Sequence, residues 1–247
     1  MGYRTGLVSV SFRKHTPEEI LRAMKAAGLS YIEWGSDVHA PVNDIENLKR
    51  LVALGEKYGI ICSSYGTYFK VGQHVAEEIL PYIRAAKVLG TNIVRIWCGS
   101  KDCELYTQEE KAALLADCKK LAEIAEQENV VLCLECHNWT YTNHLSGALE
   151  LMETVNSENF RMYWQPNQWS SFEENMEYAQ EIAKYTYVIH AFNWLEEKCF
   201  PLCEAVDTWK AYLSKFDSPY VLLEHMPDDK LTSLCAEAKA LQNIVEK

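Results

Sequence analysis

Eight times along the chain a short apolar run gives way to an amphipathic stretch, and this recurrence constrains the fold more than any other feature. The runs read as strands at residues 7–11, 31–34, 60–65, 92–97, 130–137, 160–165, 186–192 and 219–224. Helical patterns follow each of them. Thr16, Pro17 and Glu19 supply an N-cap, a first-turn proline and a capping box for the first helix, and Thr107 with Glu110 repeats the box for the longest. Gly28, Gly59 and Gly90 stand where helices should stop. Pro81, inside the pattern at 75–89, predicts a kink or break. Further helices are expected near 44–58, 147–155, 172–185, 206–216 and 230–245. Eight units of roughly thirty residues leave no linker, so the prediction is one α/β domain over residues 1–247, a single (β/α)8 TIM barrel. The 247-residue length is close to the ~250 typical of that fold.

The fifth run, Val130-Val-Leu-Cys-Leu-Glu-Cys-His137, locates the chemistry. It is apolar on both faces, as a buried parallel strand must be, yet ends on a carboxylate and an imidazole that a core cannot hold unpaired. Alternation puts Glu135 and His137 on the face of Val131 and Cys133. In a barrel such ends form the active face. The sixth and eighth strands end at Gln165 and Glu224, and the seventh carries His190 two residues before its end. If all four residues point inward, two carboxylates, an imidazole and an amide oxygen converge from consecutive strands. That donor set suits an open divalent-metal site, with Mn²⁺, Mg²⁺, Co²⁺ and Zn²⁺ undistinguished.

Composition narrows the partners. A formal net charge of −11 argues against nucleic acid or an anionic membrane as the main partner. The first twelve residues lack a basic segment followed by an apolar one, and no apolar run approaches ~18 residues. A cytoplasmic protein is expected, its nine cysteines reduced. The oligomeric state, homo-oligomer included, is left open.

The eight-unit layout, the Leu-Glu-x-His element at 134–137, His190, and Leu223-Glu224 together resemble the xylose isomerase-like superfamily of metal-dependent sugar isomerases and epimerases. The resemblance spans essentially the whole chain. It implies that the residues at 135, 165, 190 and 224 are metal ligands and that Glu135 and Glu224 are the acid/base pair of an epimerase. Proton transfer through an enediolate would follow, with an isomerase or epimerase as the expected enzyme. Gln165 departs from the pattern, standing where an aspartate is expected, and Gln168 stands where many relatives carry histidine. The substitution removes one negative charge from the ligand set. A lyase or dehydratase using the same enolate, or a non-catalytic carbohydrate-binding barrel, are the alternatives.

Other motifs carry less. Cys133 and Cys136 have CxxC spacing but fall on opposite strand faces, and Cys199 and Cys203 suggest packing. No glycine-rich phosphate cradle occurs, and the loop at 225–230 is acidic, so a small unphosphorylated carbohydrate is the expected ligand. Six of seven tryptophans, Trp34, Trp97, Trp139, Trp164, Trp169 and Trp194, sit at or beyond strand ends, with Tyr65, Tyr68, Tyr141 and Phe192 in the same zone. Aromatic faces pack against sugar rings, and Trp97 and Trp139 are expected to line the pocket. Glu33, His39, Arg95 and His137 are the polar groups expected to fix substrate hydroxyls.

Overall fold

A computed structural model describes residues 2–217 and 220–246. Eight parallel strands close a barrel: β1 (Arg4–Val8), β2 (Tyr31–Gly35), β3 (Ile61–Val71), β4 (Ile93–Cys98), β5 (Val131–Leu134), β6 (Phe160–Trp164), β7 (Thr186–Ala191) and β8 (Tyr220–Leu223). Each strand pairs with its neighbours in sequence, and β1 closes on β8 through Gly6 opposite Leu222. Helices α1 (Pro17–Ala26), α2 (Ile45–Tyr58), α3 (Leu80–Leu89), α4 (Gln108–Gln127), α5 (Leu145–Val155), α6 (Phe172–Ile182), α7 (Val206–Leu213) and α8 (Leu234–Val245) follow the strands in turn. Helical crossovers of this kind cover the outer face of a parallel sheet.

Local chemistry explains the helix ends. Both expected capping boxes form, at Thr16 with Glu19 and at Thr107 with Glu110. A third, Ser171 with Glu174, opens α6. Gly59 and Gly90 cap α2 and α3 in the left-handed conformation that glycine adopts without cost. Pro81 does not kink a long helix. It sits in the first turn of α3, where no intrahelical N–H is needed, behind a separate turn of 3-10 helix at Ala76–Ile79.

The strand limits shift from those expected. β1 ends at Val8, and Ser9–Phe12 turns into a buried 3-10 helix. β3 runs on to Val71, with a register shift between Gly66 and Lys70. The expected start of the eighth strand at Pro219 lies outside the described residues.

Two cores result. The larger lies between barrel and helices, and includes Leu132, Leu134, Cys136 and Trp164. The smaller fills the barrel with Val8, Ile93, Val131, Cys133, Tyr163, Val188 and Leu222. Cys133 and Cys136 therefore face opposite sides, as alternation requires. All nine cysteines are free thiols. Among the described residues no helix is long and apolar enough to cross a membrane.

Candidate active site

The strand ends carry their side-chain parity one residue beyond the ladder. Glu135 N donates to Ile96 O at 3.1 Å and Glu224 N to Ala191 O at 3.0 Å, so both residues keep the inward direction of the strands they follow. Four expected donors meet as a result. His190 Nδ1 lies 3.2 Å from Glu224 Oε2, 3.3 Å from Glu135 Oε1 and 3.2 Å from Gln165 Oε1. One ligand atom from each of Glu135, His190 and Glu224 falls within 4.8 Å of the others. Gln165 is held by Cys136, whose thiol contacts both its N–H and its carbonyl.

This arrangement fits a divalent cation. An imidazole Nδ1–H can satisfy one acceptor, but three oxygens crowd it, two of them from carboxylates. A mixed N/O set with two anions is what a hard or borderline metal recruits. The protein compensates the charge from the other side. Arg95 pairs with Glu135 Oε2, which also accepts from Trp97 Nε1. Its Nε lies 3.1 Å from Glu33 Oε1. Burial opposes ionisation of Glu135, but Arg95 and His190 more than offset it and hold its carboxyl well below the usual range. Burial likewise opposes the Glu224 charge, and His190 and His225 bring its pKa down to about 2. For His190 burial disfavours the cation, yet Glu224 and Glu33 push its pKa well up.

Glu33 is not where substrate could reach it. Wholly buried on β2, it accepts from Ser64 Oγ and Tyr163 Oη, each at 2.8 Å. Its Oε2 lies 3.5 Å from His190 Nε2. Neither this contact nor the one to Arg95 Nε is aligned as a hydrogen bond; both are charge pairs. Gly66 makes room for them, since a Cβ there would meet Glu33 Oε1 at 2.5 Å. The expectation of substrate contact is corrected: Glu33 lies a layer below the cavity, under His190.

Above the cluster opens a cavity of about 480 Å³. Arg95, Trp97, Glu135, His137, Trp139, Gln165 and Glu224 line it; Glu33, His39 and His190 do not. His39 is a second correction. It is buried, packs on Trp34 and bonds His15 O through Nε2 at 3.0 Å. Trp97 and His137 stack, their ring centroids 4.8 Å apart. Trp169, Trp194, Tyr68 and Phe192 share the lining, whereas Trp34, Trp164, Tyr65 and Tyr141 are packed in the outer core. Alternation explains Trp34 and Trp164, which follow the inward residues Glu33 and Tyr163.

Arg13, Asn143, Asn167 and His225 also line the cavity and were not foreseen. For His225 parity fails for a physical reason. It has φ +60°, which turns the residue after Glu224 back over the mouth, where it meets Trp194 edge-to-face.

The family pattern described as Xylose isomerase-like TIM barrel matches residues 21–223. The chain belongs to that family. No curated protein matches it significantly in sequence. Among solved structures it is similar to the probable 3-DHS dehydratase AsbF of Bacillus anthracis, involved in petrobactin synthesis, with TM-score 0.82, 19% identity, and 98% and 99% of the two chains covered. The IolI protein with a bound zinc atom gives TM-score 0.79 at 15% identity, covering 98% of each chain. An L-ribulose 3-epimerase gives 0.72 at 16% identity, covering 97% of this chain and 93% of its own. At these identities the likeness establishes the fold. Within this xylose isomerase-like barrel, the described Glu–Gln–His–Glu cluster sits at the end of the barrel where this architecture places its chemistry.

Proposed function

We propose that this barrel is a divalent-metal-dependent enzyme that moves a carbon-bound proton next to a carbonyl of a neutral sugar, as an isomerase or epimerase. The observation that carries this is the meeting of Glu135, Gln165 and Glu224 oxygens around His190 Nδ1 at the floor of the cavity. Glu135, Gln165, His190 and Glu224 would hold the metal, which when bound supplies Lewis-acid stabilisation of the negative charge left by a departing proton. Glu135 and Glu224 directly follow β5 and β8, with β6 and β7 between them in the barrel order. A substrate carbon between the two could lose its proton to one and regain it from the other. Both are ionised at neutral pH, so either can start as base. Arg95 and Trp97 fix the rotamer of Glu135, and the Glu33 carboxylate faces His190 Nε2 at 3.5 Å.

A lyase or dehydratase is the second reading, favoured by the likeness to AsbF. It begins with the same proton abstraction and ends with loss of a leaving group. Deuterium uptake from D₂O, followed by NMR over a panel of ketoses with Mn²⁺ present, tests the shared step. Exchange at one carbon is expected, slowed roughly a hundredfold or more by Glu135→Gln or Glu224→Gln. Undiminished exchange in both variants would refute this assignment of the base.

A further inference from the structure

The cavity is larger than the cluster on its floor requires. About 480 Å³ lies in the range that buries a drug-sized ligand, whereas a single hexose has only about a dozen heavy atoms. Two exposed tryptophans form part of the cavity wall. Trp139 is 74% exposed and Trp169 57%. We propose that Trp139 and Trp169 form a second subsite, which takes a neutral ring joined by a glycosidic link to the sugar lying over Glu135, His190 and Glu224. The proposal rests on the proton-transfer reading only for where the reacting sugar sits.

Three observations converge on it. The first is strain without burial. Trp139 has φ +60°, a conformation disfavoured for a bulky residue, yet its side chain belongs to neither core. Such a side chain is placed for something outside the protein.

The second is construction. Trp139 and Trp169 stand on neighbouring loops, after β5 and β6, and these loops are tied together. Asn167 Nδ2 donates to Asn143 Oδ1 at 3.0 Å, and Asn167 Oδ1 accepts from Trp169 N at 2.9 Å. Thr140 Oγ1 donates to His137 O at 2.6 Å, and Thr142 Oγ1 to Glu135 O at 2.7 Å. The platform is thus braced against the same segment that carries a floor carboxylate. Flat indole faces held in this way suit the C–H face of a sugar or an aryl ring.

The third is charge. Two guanidinium groups line the cavity and both are engaged: Arg95 by Glu33 and Glu135, Arg13 by Asp37 at 2.5 Å. No lysine lines it. An anionic second group would meet no unpaired guanidinium in this lining, whereas the side-chain amides of Asn138 and Gln168 that share it suit hydroxyls.

The test is calorimetric binding to the Mn²⁺-loaded protein. Matched methyl glycosides, phenyl glycosides and disaccharides of the gluco, galacto and manno series serve as probes. In at least one series a two-ring ligand should bind about tenfold or more tightly than its methyl glycoside. A phenyl preference identifies an aryl aglycone, and a disaccharide preference a second sugar. Trp139→Ala and Trp169→Ala should each shrink the two-ring to one-ring affinity ratio toward one. Ile61→Ala, equally exposed at the opposite end of the barrel, should leave the ratio unchanged. No two-ring preference in any series, or a preference that survives the double tryptophan variant, overturns the subsite. Two-ring binding, with no solvent exchange in any ketose of the panel above, would sink the proton-transfer reading and leave the subsite standing. Exchange with monosaccharides and no ring preference would do the reverse.

Discussion

Replacing Glu33 by glutamine isolates what a carboxylate beneath the site contributes. The side chain keeps its size, and its carbonyl can still accept from Ser64 and Tyr163. What disappears is the charge facing Arg95 Nε at 3.1 Å and His190 Nε2 at 3.5 Å. At an effective dielectric of about 20, each contact is worth about 5 kcal/mol of gross attraction. Most of that is returned, because a neutral amide avoids the desolvation that a buried carboxylate suffers. Arg95 also keeps Glu135, and His190 keeps Glu135 and Glu224. Breaking such a buried pair nets a loss on the order of 3 kcal/mol. For a chain of this length that is a melting-temperature drop of roughly 6–12 °C, read by thermal unfolding in EDTA.

The second consequence concerns the metal. A carboxylate behind a ligating histidine orients the ring and raises its basicity, and its loss typically costs 10–100-fold in affinity. Titration calorimetry with Mn²⁺ should therefore show about 10–100-fold weaker binding to Glu33→Gln. The two readouts separate two roles. A stability loss with wild-type Mn²⁺ affinity would mean that Glu33 supports the barrel but not the ligand, and would refute its role behind His190.

Two further predictions bear on the same cluster. Gln165→Asp restores an anionic oxygen beside His190 Nδ1 and should tighten Mn²⁺ binding severalfold; weaker binding would show that position 165 does not touch the metal. His190 titrates well above its ordinary value in the metal-free protein, and a ligand nitrogen must be unprotonated. Below that raised pKa the proton competes, so Mn²⁺ affinity should climb with pH and level off once the pKa is passed, with about one proton released per ion bound. The same shift has a stability sign. A histidine whose folded pKa is raised stabilises the metal-free fold fully below its unfolded pKa, and that contribution is lost as pH rises through the folded pKa. The melting temperature in EDTA should fall over that interval and recover with Mn²⁺; a pH-independent affinity would count against His190 as a ligand.

Much of this protein was legible before any coordinates. The repeated strand–helix units specify the barrel because short parallel strands with two apolar faces are stable only when helices cover them. Capping boxes at Thr16 and Thr107 mark helix starts because they depend on four consecutive residues and nothing distant. Strand parity brought Glu135, Gln165, His190 and Glu224 together, since alternation is local and the barrel mouth is where all strands end. Depth and distance were another matter. Glu33 points inward as alternation demands, but the stagger of the closed sheet sets how far down the axis it lies, and that put it beneath His190. Arg95 reaches both Glu33 and Glu135 only because β2, β4 and β5 curve around one interior. His39 follows β2 by a few residues, yet the loop folds it against Trp34 and away from the cavity. Trp139 and His225 sit over the mouth through left-handed backbone that no periodicity encodes. Local chemistry determined the elements and the direction of the side chains; only closure of the barrel decided which of those side chains meet.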